Sequence, residues 1–74
     1  MTYELWEARS GNRLGLFSSE RDALEVVREI VAVDGMESVE HLFLDSYDRS
    51  GRHRPVVEGW ALGERAGLRR SQTA

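Results

Sequence analysis

The stretch Asp48-Arg-Ser-Gly-Arg-His-Arg-Pro55 gathers Arg49, Arg52, Arg54 and His53 within eight residues of an acidic chain. Guanidinium groups pair bidentately with phosphate and carboxylate oxygens, so anion binding is the chemistry that this spacing suggests. The segment from Asp48 to Arg54 carries +2, which leaves −5 on the rest of a chain whose net charge is −3. Three cations supply about three phosphate contacts, against roughly six to ten in committed nucleic-acid binders. A hairpin loop must in any case be polar, and all ten basic residues here are arginine. The expectation is a solvated loop, with Arg49, Arg52 and Arg54 as an alternative anion site.

Other chemistry finds less support. Serine, histidine and aspartate are all present, but no GxSxG elbow or other nucleophile signature joins them. Gly11 and Gly15 form no phosphate-binding fingerprint, and no GK[ST] follows them. There is no cysteine, and His41 and His53 have no regular metal-ligand spacing, so neither a disulfide nor a structural zinc site is expected. A domain this small leaves little room for a concave pocket of several hundred Å3. No catalytic, cofactor or metal residue is therefore assigned, and the chain reads as a non-enzyme.

Seventy-four residues fit one domain, placed at residues 1–68, with residues 69–74 as a C-terminal tail expected to fray. So short a chain buries only about 60% of its unfolded surface, so added burial from a partner subunit would matter. The first residues, MTYELWEARSG, lack the basic and apolar regions of a signal peptide. The longest apolar run is Ile30 to Val33, far short of a membrane span. A cytoplasmic protein without membrane contact is expected, and the negative net charge disfavours general nucleic-acid binding.

The elements that must position these residues begin with a helix over Glu20 to Asp34. Ser19 is its N-cap, Asp22 completes a capping box, and Gly35 is a left-handed C-cap. At 100° per residue, Ala23, Leu24, Val26, Val27, Ile30, Val31 and Val33 share one half of the wheel. So wide an apolar face needs a sheet to cover it. Tyr3 to Arg9 and Arg13 to Phe17 flank the turn Ser10-Gly-Asn12, and Val39 to Tyr47 and Pro55 to Ala61 flank the arginine loop. The fold class is α+β: a ββαββ domain with one amphipathic helix on a four-stranded sheet. Order 2-1-3-4, which makes that sheet wholly antiparallel, is favoured; strand 3 beside strand 2 is the alternative and would force one parallel pair.

Two resemblances follow from these residues. Leu14-Gly-Leu-Phe-Ser-Ser-Glu-Arg-Asp-Ala23 resembles the strand-to-helix stretch of AP2-type and integrase arm-type DNA-binding domains, whose three-stranded sheet reads the major groove. That family places its strands before the helix, and its DNA-facing strands are basic where this chain has Glu4 and Glu7. More broadly, Tyr3, Leu5, Trp6, the Ser10-Gly-Asn12 turn and Leu14-Gly15, followed by a capped helix and a second hairpin, resemble short uncharacterised proteins of high-GC bacteria. That likeness implies no activity.

The second face of the sheet is the more informative feature. If Tyr3, Leu5, Leu42 and Leu44 point to the helix, then Trp6, His41 and Phe43 point away, with Trp60 joining from strand 4. A register one residue out puts these aromatics in the core instead. Exposed aromatic clusters mark interfaces. The expectation is an interaction module, a homodimer or a partner-docking domain using the open face. A sheet-based nucleic-acid binder or regulator is the alternative.

Overall fold

Two hairpins build one sheet, and a helix crosses between them. The structure, a computed structural model, describes residues 1–68; the tail expected at residues 69–74 lies outside them. Strands β1 (Thr2–Glu7) and β2 (Asn12–Phe17) form the first hairpin, helix α1 spans Glu20–Asp34, and β3 (Leu42–Tyr47) and β4 (Val57–Glu58) form the second. The strand order is β2-β1-β3-β4, and every pair is antiparallel. The α+β class and the 2-1-3-4 order are as the sequence predicts.

Helix α1 starts and stops at the residues its signals mark. Ser19 Oγ accepts from the Asp22 N–H at 3.2 Å, and the Gly35 N–H donates to the Val31 carbonyl at 2.9 Å. Gly35 has a positive φ of 95° but an extended ψ of 160°, so it ends the helix outside the left-handed helical region that the sequence suggests. Ala23, Leu24 and Val27 are buried against the sheet, and Val26, Ile30 and Val31 pack at its margin. Val33 departs from the wheel's assignment: it lies in the last turn and is 84% exposed.

Two helical elements replace expected strand. A 3-10 helix covers Met36–His41, so the third strand begins at Leu42 rather than Val39. Val39 and Leu42, three residues apart, are both buried, a spacing that a three-residue turn satisfies and a two-residue pleat does not. After Glu58 the chain enters a second helix, α2 (Gly59–Arg65), in place of the strand predicted through Ala61. Leu62 and Ala66 lie one helical turn apart and are both buried. Gly67, with φ 80°, closes this helix: its N–H donates to Glu64 O at 3.0 Å, and the Leu68 N–H donates to Gly63 O at 2.9 Å. These two bonds form a Schellman motif.

The helices are tied to each other as well as to the sheet. Arg28 Nη1 donates to the Ala66 carbonyl at 3.0 Å, satisfying an acceptor at the end of α2. Arg65 grips the Glu20 carboxylate through Nε at 3.0 Å and Nη2 at 3.2 Å. One core results, with Leu5, Leu42 and Leu44 from the sheet meeting Ala23, Leu24 and Val27 from α1, Val39 from the 3-10 helix, and Leu62 and Ala66 from α2.

The first hairpin turn is closed by a carboxylate. Glu7 accepts from the backbone N–H groups of Arg9 at 3.0 Å and Ser10 at 2.9 Å, and from Arg9 Nε at 3.2 Å. The Ser10 side chain first, then the Arg9 backbone N–H, holds the Glu7 carboxyl down at about 2. A depressed carboxyl stabilises the fold above its unfolded value of 4.5, and that contribution is lost as pH falls from there towards about 2. Denaturant midpoints measured across that window should fall with acid in the native chain. They should fall less steeply in Glu7→Gln, and equal slopes would show that the turn carboxylate is not linked to folding.

Candidate functional site

Pleat alternation around Leu5 and Leu44 sorts the side chains between two faces. These two leucines are cross-strand partners, both buried beneath the helices. Their neighbours Trp6 and Phe43 pair with each other and therefore project from the open face. The two rings stack with centroids 6.1 Å apart and planes 6° from parallel. At that separation the pair adds to its area burial in the manner of offset aromatic stacks. Trp6 and Phe43 are each half-buried, and the indole Nε1 of Trp6 is buried with no acceptor among the described residues.

Next along the face, Glu4 lies opposite Asp45, two like charges in direct cross-strand register. Each is answered from outside. Arg13 Nη1 lies 2.9 Å from Glu4, and His53 Nε2 lies 3.0 Å from Asp45. The carboxylate side chains are only 16% and 14% exposed, so the partners cover them as well as offset their charge. Tyr47 follows on the same face, its ring 5.1 Å from that of His53. Burial first, then the charges of Glu4 and Asp45, pushes the Tyr47 phenol up, so it stays protonated as a donor. Leu16, opposite Glu4 on β2, is 57% exposed. The open face is thus a stacked aromatic pair, a covered acidic pair, a tyrosine and a bare leucine, with Arg13 and His53 on its flanks.

The arginine loop is divided by the same alternation. Asp48 Oδ1 accepts from Ser50 N–H at 2.9 Å, Ser50 Oγ at 2.6 Å and Arg52 N–H at 2.9 Å, and Gly51 takes φ 82° at the tip. These bonds, that of the Ser50 side chain foremost, hold the Asp48 carboxyl below its usual range. Beyond the tip, His53 pairs with Tyr47 and the Arg54 N–H donates to Ser46 O at 2.8 Å, before Val57 pairs with Leu44. Three steps back along β3 from Tyr47 to Leu44 match four steps forward from His53 to Val57, so one extra residue bulges at Pro55–Val56. Proline has no N–H to lose there, which explains the placing and leaves β4 only two residues long. His53 consequently joins the open face, while Arg54 lies on the helix side. Arg49 and Arg52 are exposed, and among the described residues neither forms an ion pair.

On the helix side the sheet outruns its cover. A cleft of about 450 Å3 opens there, lined by Tyr3, Glu20, Leu44, Ser46, Arg54 and Arg65 among others. The sequence-based expectation that so small a domain leaves little room for such a concavity is corrected by this opening. It exists because α1 begins, at Glu20, and α2 ends, at Arg65, beside one another over the Tyr3–Ser46 pair.

Of the residues singled out in the sequence, Trp6 and Phe43 are brought together. His41 closes the 3-10 helix just before β3, where its carbonyl accepts from the Ala8 N–H at 2.7 Å. Trp60 is not on the open face. It lies on α2, packs against the core, and its Nε1 donates to Glu40 Oε1 at 3.1 Å. The cause is Gly59, whose φ of 59° turns the chain from strand into helix. Sequence reasoning missed Tyr47 and Arg65. Tyr47 follows from extending the alternation past Asp45, and Arg65 from noticing the apolar spacing of Leu62 and Ala66 before Gly67. No family model, curated protein or solved structure matches the chain. Among the described residues no helix is long and apolar enough to cross a membrane.

The loop geometry separates the roles of its residues. Replacing Arg52 and Arg54 with serine should change unfolding free energy by no more than about 0.5 kcal/mol, as at surface positions without special partners. Asp48→Ala removes every bond to Oδ1 and should lower the thermal midpoint clearly more than either arginine change. Equal midpoints for all three variants would refute the carboxylate's role in closing the loop.

Proposed function

We propose that this protein is a small, non-enzymatic interaction module that self-associates through the open sheet face. The observation that carries this reading is the half-buried Trp6–Phe43 stack on the face that, among the described residues, no helix covers. An antiparallel sheet can leave one face wet when that face is polar, and this one is aromatic at its centre. A second copy is the simplest partner, since a two-fold axis lets the aromatic pair of each protomer cover that of the other. The Glu4–Asp45 pair repels nucleic-acid phosphates, which disfavours the sheet-based nucleic-acid reading.

Such a face spans roughly 15 by 20 Å, from strand spacing and rise per residue, so the contact sits at the small end of interfaces and association is expected at micromolar concentration. Burying a large aromatic contributes roughly 1.5–3 kcal/mol per side chain, so Trp6 and Phe43 should dominate it. Sedimentation equilibrium at high micromolar protein should return a mass approaching twice 8.4 kDa, falling to the monomer in Trp6→Glu. Phe43→Ser should act the same way while the far-ultraviolet dichroism of both variants stays native. A wild-type monomer under these conditions overturns the proposal.

A further inference from the structure

The helix-side cleft has the chemistry of a binding site. Its accessible apolar lining comes from Met1, Val56 and Val57, and Val57 pairs across the strands with the buried Leu44. Its wall carries two hydroxyl side chains side by side, because Tyr3 and Ser46 pair across β1 and β3. Its rim carries two guanidinium groups from different elements, Arg54 from the segment after the loop and Arg65 from the end of α2. Glu20 takes Nε and one Nη2 hydrogen of Arg65, which fixes the planar group in place. The Nη1 hydrogens of Arg65 have no partner among the described residues, and Arg54 forms no ion pair among them. Asp48 lies close enough for Arg54 to act on its carboxyl, but no ion pair joins them.

We propose that this cleft binds a monoanionic organic carboxylate, its oxygens between Arg54 and Arg65 and its apolar body on Val56 and Val57. The charge balance selects the monoanion. Among the lining side chains Arg54 and Arg65 bring two positive charges and Glu20 cancels one, and Asp48 acts on Arg54 from outside the cleft, so those side chains supply no more than one unit of net positive charge. A carboxylate matches that unit, whereas a dianionic phosphate overshoots it in a chain already at −3. The hydroxyls of Tyr3 and Ser46 supply neutral donors to the same oxygens, and the exposed Val56 beside them offers an organic body a contact that an inorganic ion cannot use. The cleft's volume of about 450 Å3 lies within the range of small-molecule sites. It is also on the opposite side of the sheet from Trp6 and Phe43, so occupancy and self-association are separable.

The test is a titration of the isotope-labelled full chain with phenylacetate, followed by amide shifts, with inorganic phosphate in a parallel arm. Saturable shifts are expected at Ser46, Arg54 and Val57 with phenylacetate, and weaker binding with phosphate. Arg54→Gln should weaken phenylacetate about tenfold, the scale of one charge-assisted hydrogen bond, while Arg49→Gln leaves it unchanged. Tyr3→Phe, a second variant that keeps the ring, should weaken it less. Shifts that never saturate, shifts confined to Arg49 and Arg52, phosphate bound as tightly as phenylacetate, or an Arg54→Gln chain that binds equally well would each overturn the proposal.

Discussion

Leu5 and Leu44 face each other across the two central strands, and both are sealed under the helices. That contact fixes the register of the sheet. Because side chains alternate strictly, burying this pair sends Trp6, Phe43, Glu4, Asp45 and Tyr47 to one side and Tyr3, Ser46 and Arg54 to the other. A slip of one residue would exchange the sets, placing two carboxylates in the core and two leucines in water. The cost of burying unpaired charge makes that alternative untenable. Everything described for either face is a consequence of this one pairing.

The core that holds the register is small, and it is completed by elements of low regularity. A single fifteen-residue helix cannot cover a four-stranded sheet, and full burial along α1 ends at Val27. The remaining area is closed by Val39 from the 3-10 helix and by Leu62 and Ala66 from α2. Gly63 lies against Val39, where an added Cβ would make ordinary van der Waals contact at 3.4 Å. On the first hairpin the constraint is tighter, at Gly15. The ring of Phe17 folds back over it, so close that an added Cβ would lie 2.5 Å from the ring. The aromatic ring supplies the cover that glycine cannot.

Charge follows the same economy of space. The directly opposed Glu4 and Asp45 would repel if bare, but each is capped from a neighbouring strand or loop, by Arg13 and by His53. These are largely exposed partners, so each bridge contributes little alone. Their larger effect is to cover acidic side chains, which leaves the aromatic stack and Leu16 as the apolar features of that face. On the helix side, Glu20 and Arg65 tie the start of α1 to the end of α2 while leaving the guanidinium edge of Arg65 at the cleft.

By itself the sequence determined those features that are local. The bounds of α1 follow from Ser19 and Gly35, because caps act within one turn. The hairpin at Ser10-Gly-Asn12 and the Asp48-to-Arg54 turn follow from residues whose short side chains or free φ suit them. The strand order was narrowed to two alternatives, of which the wholly antiparallel one was favoured, and the Trp6–Phe43 face came from alternation once Leu5 and Leu44 were assigned inward. Tertiary structure alone decided the rest. Residues Val39 to His41 and Gly59 to Arg65 have apolar residues at spacings that suit strand or helix over so few positions. Burial against α1 selected helix, since Val39, Leu62 and Ala66 must all reach one core. That choice removed Trp60 from the open face, set Arg65 beside Glu20, and, with the bulge at Pro55–Val56, turned Arg54 into a cleft that no local pattern encodes. A cleft is the space between elements, and its shape depends on where each one ends relative to the others.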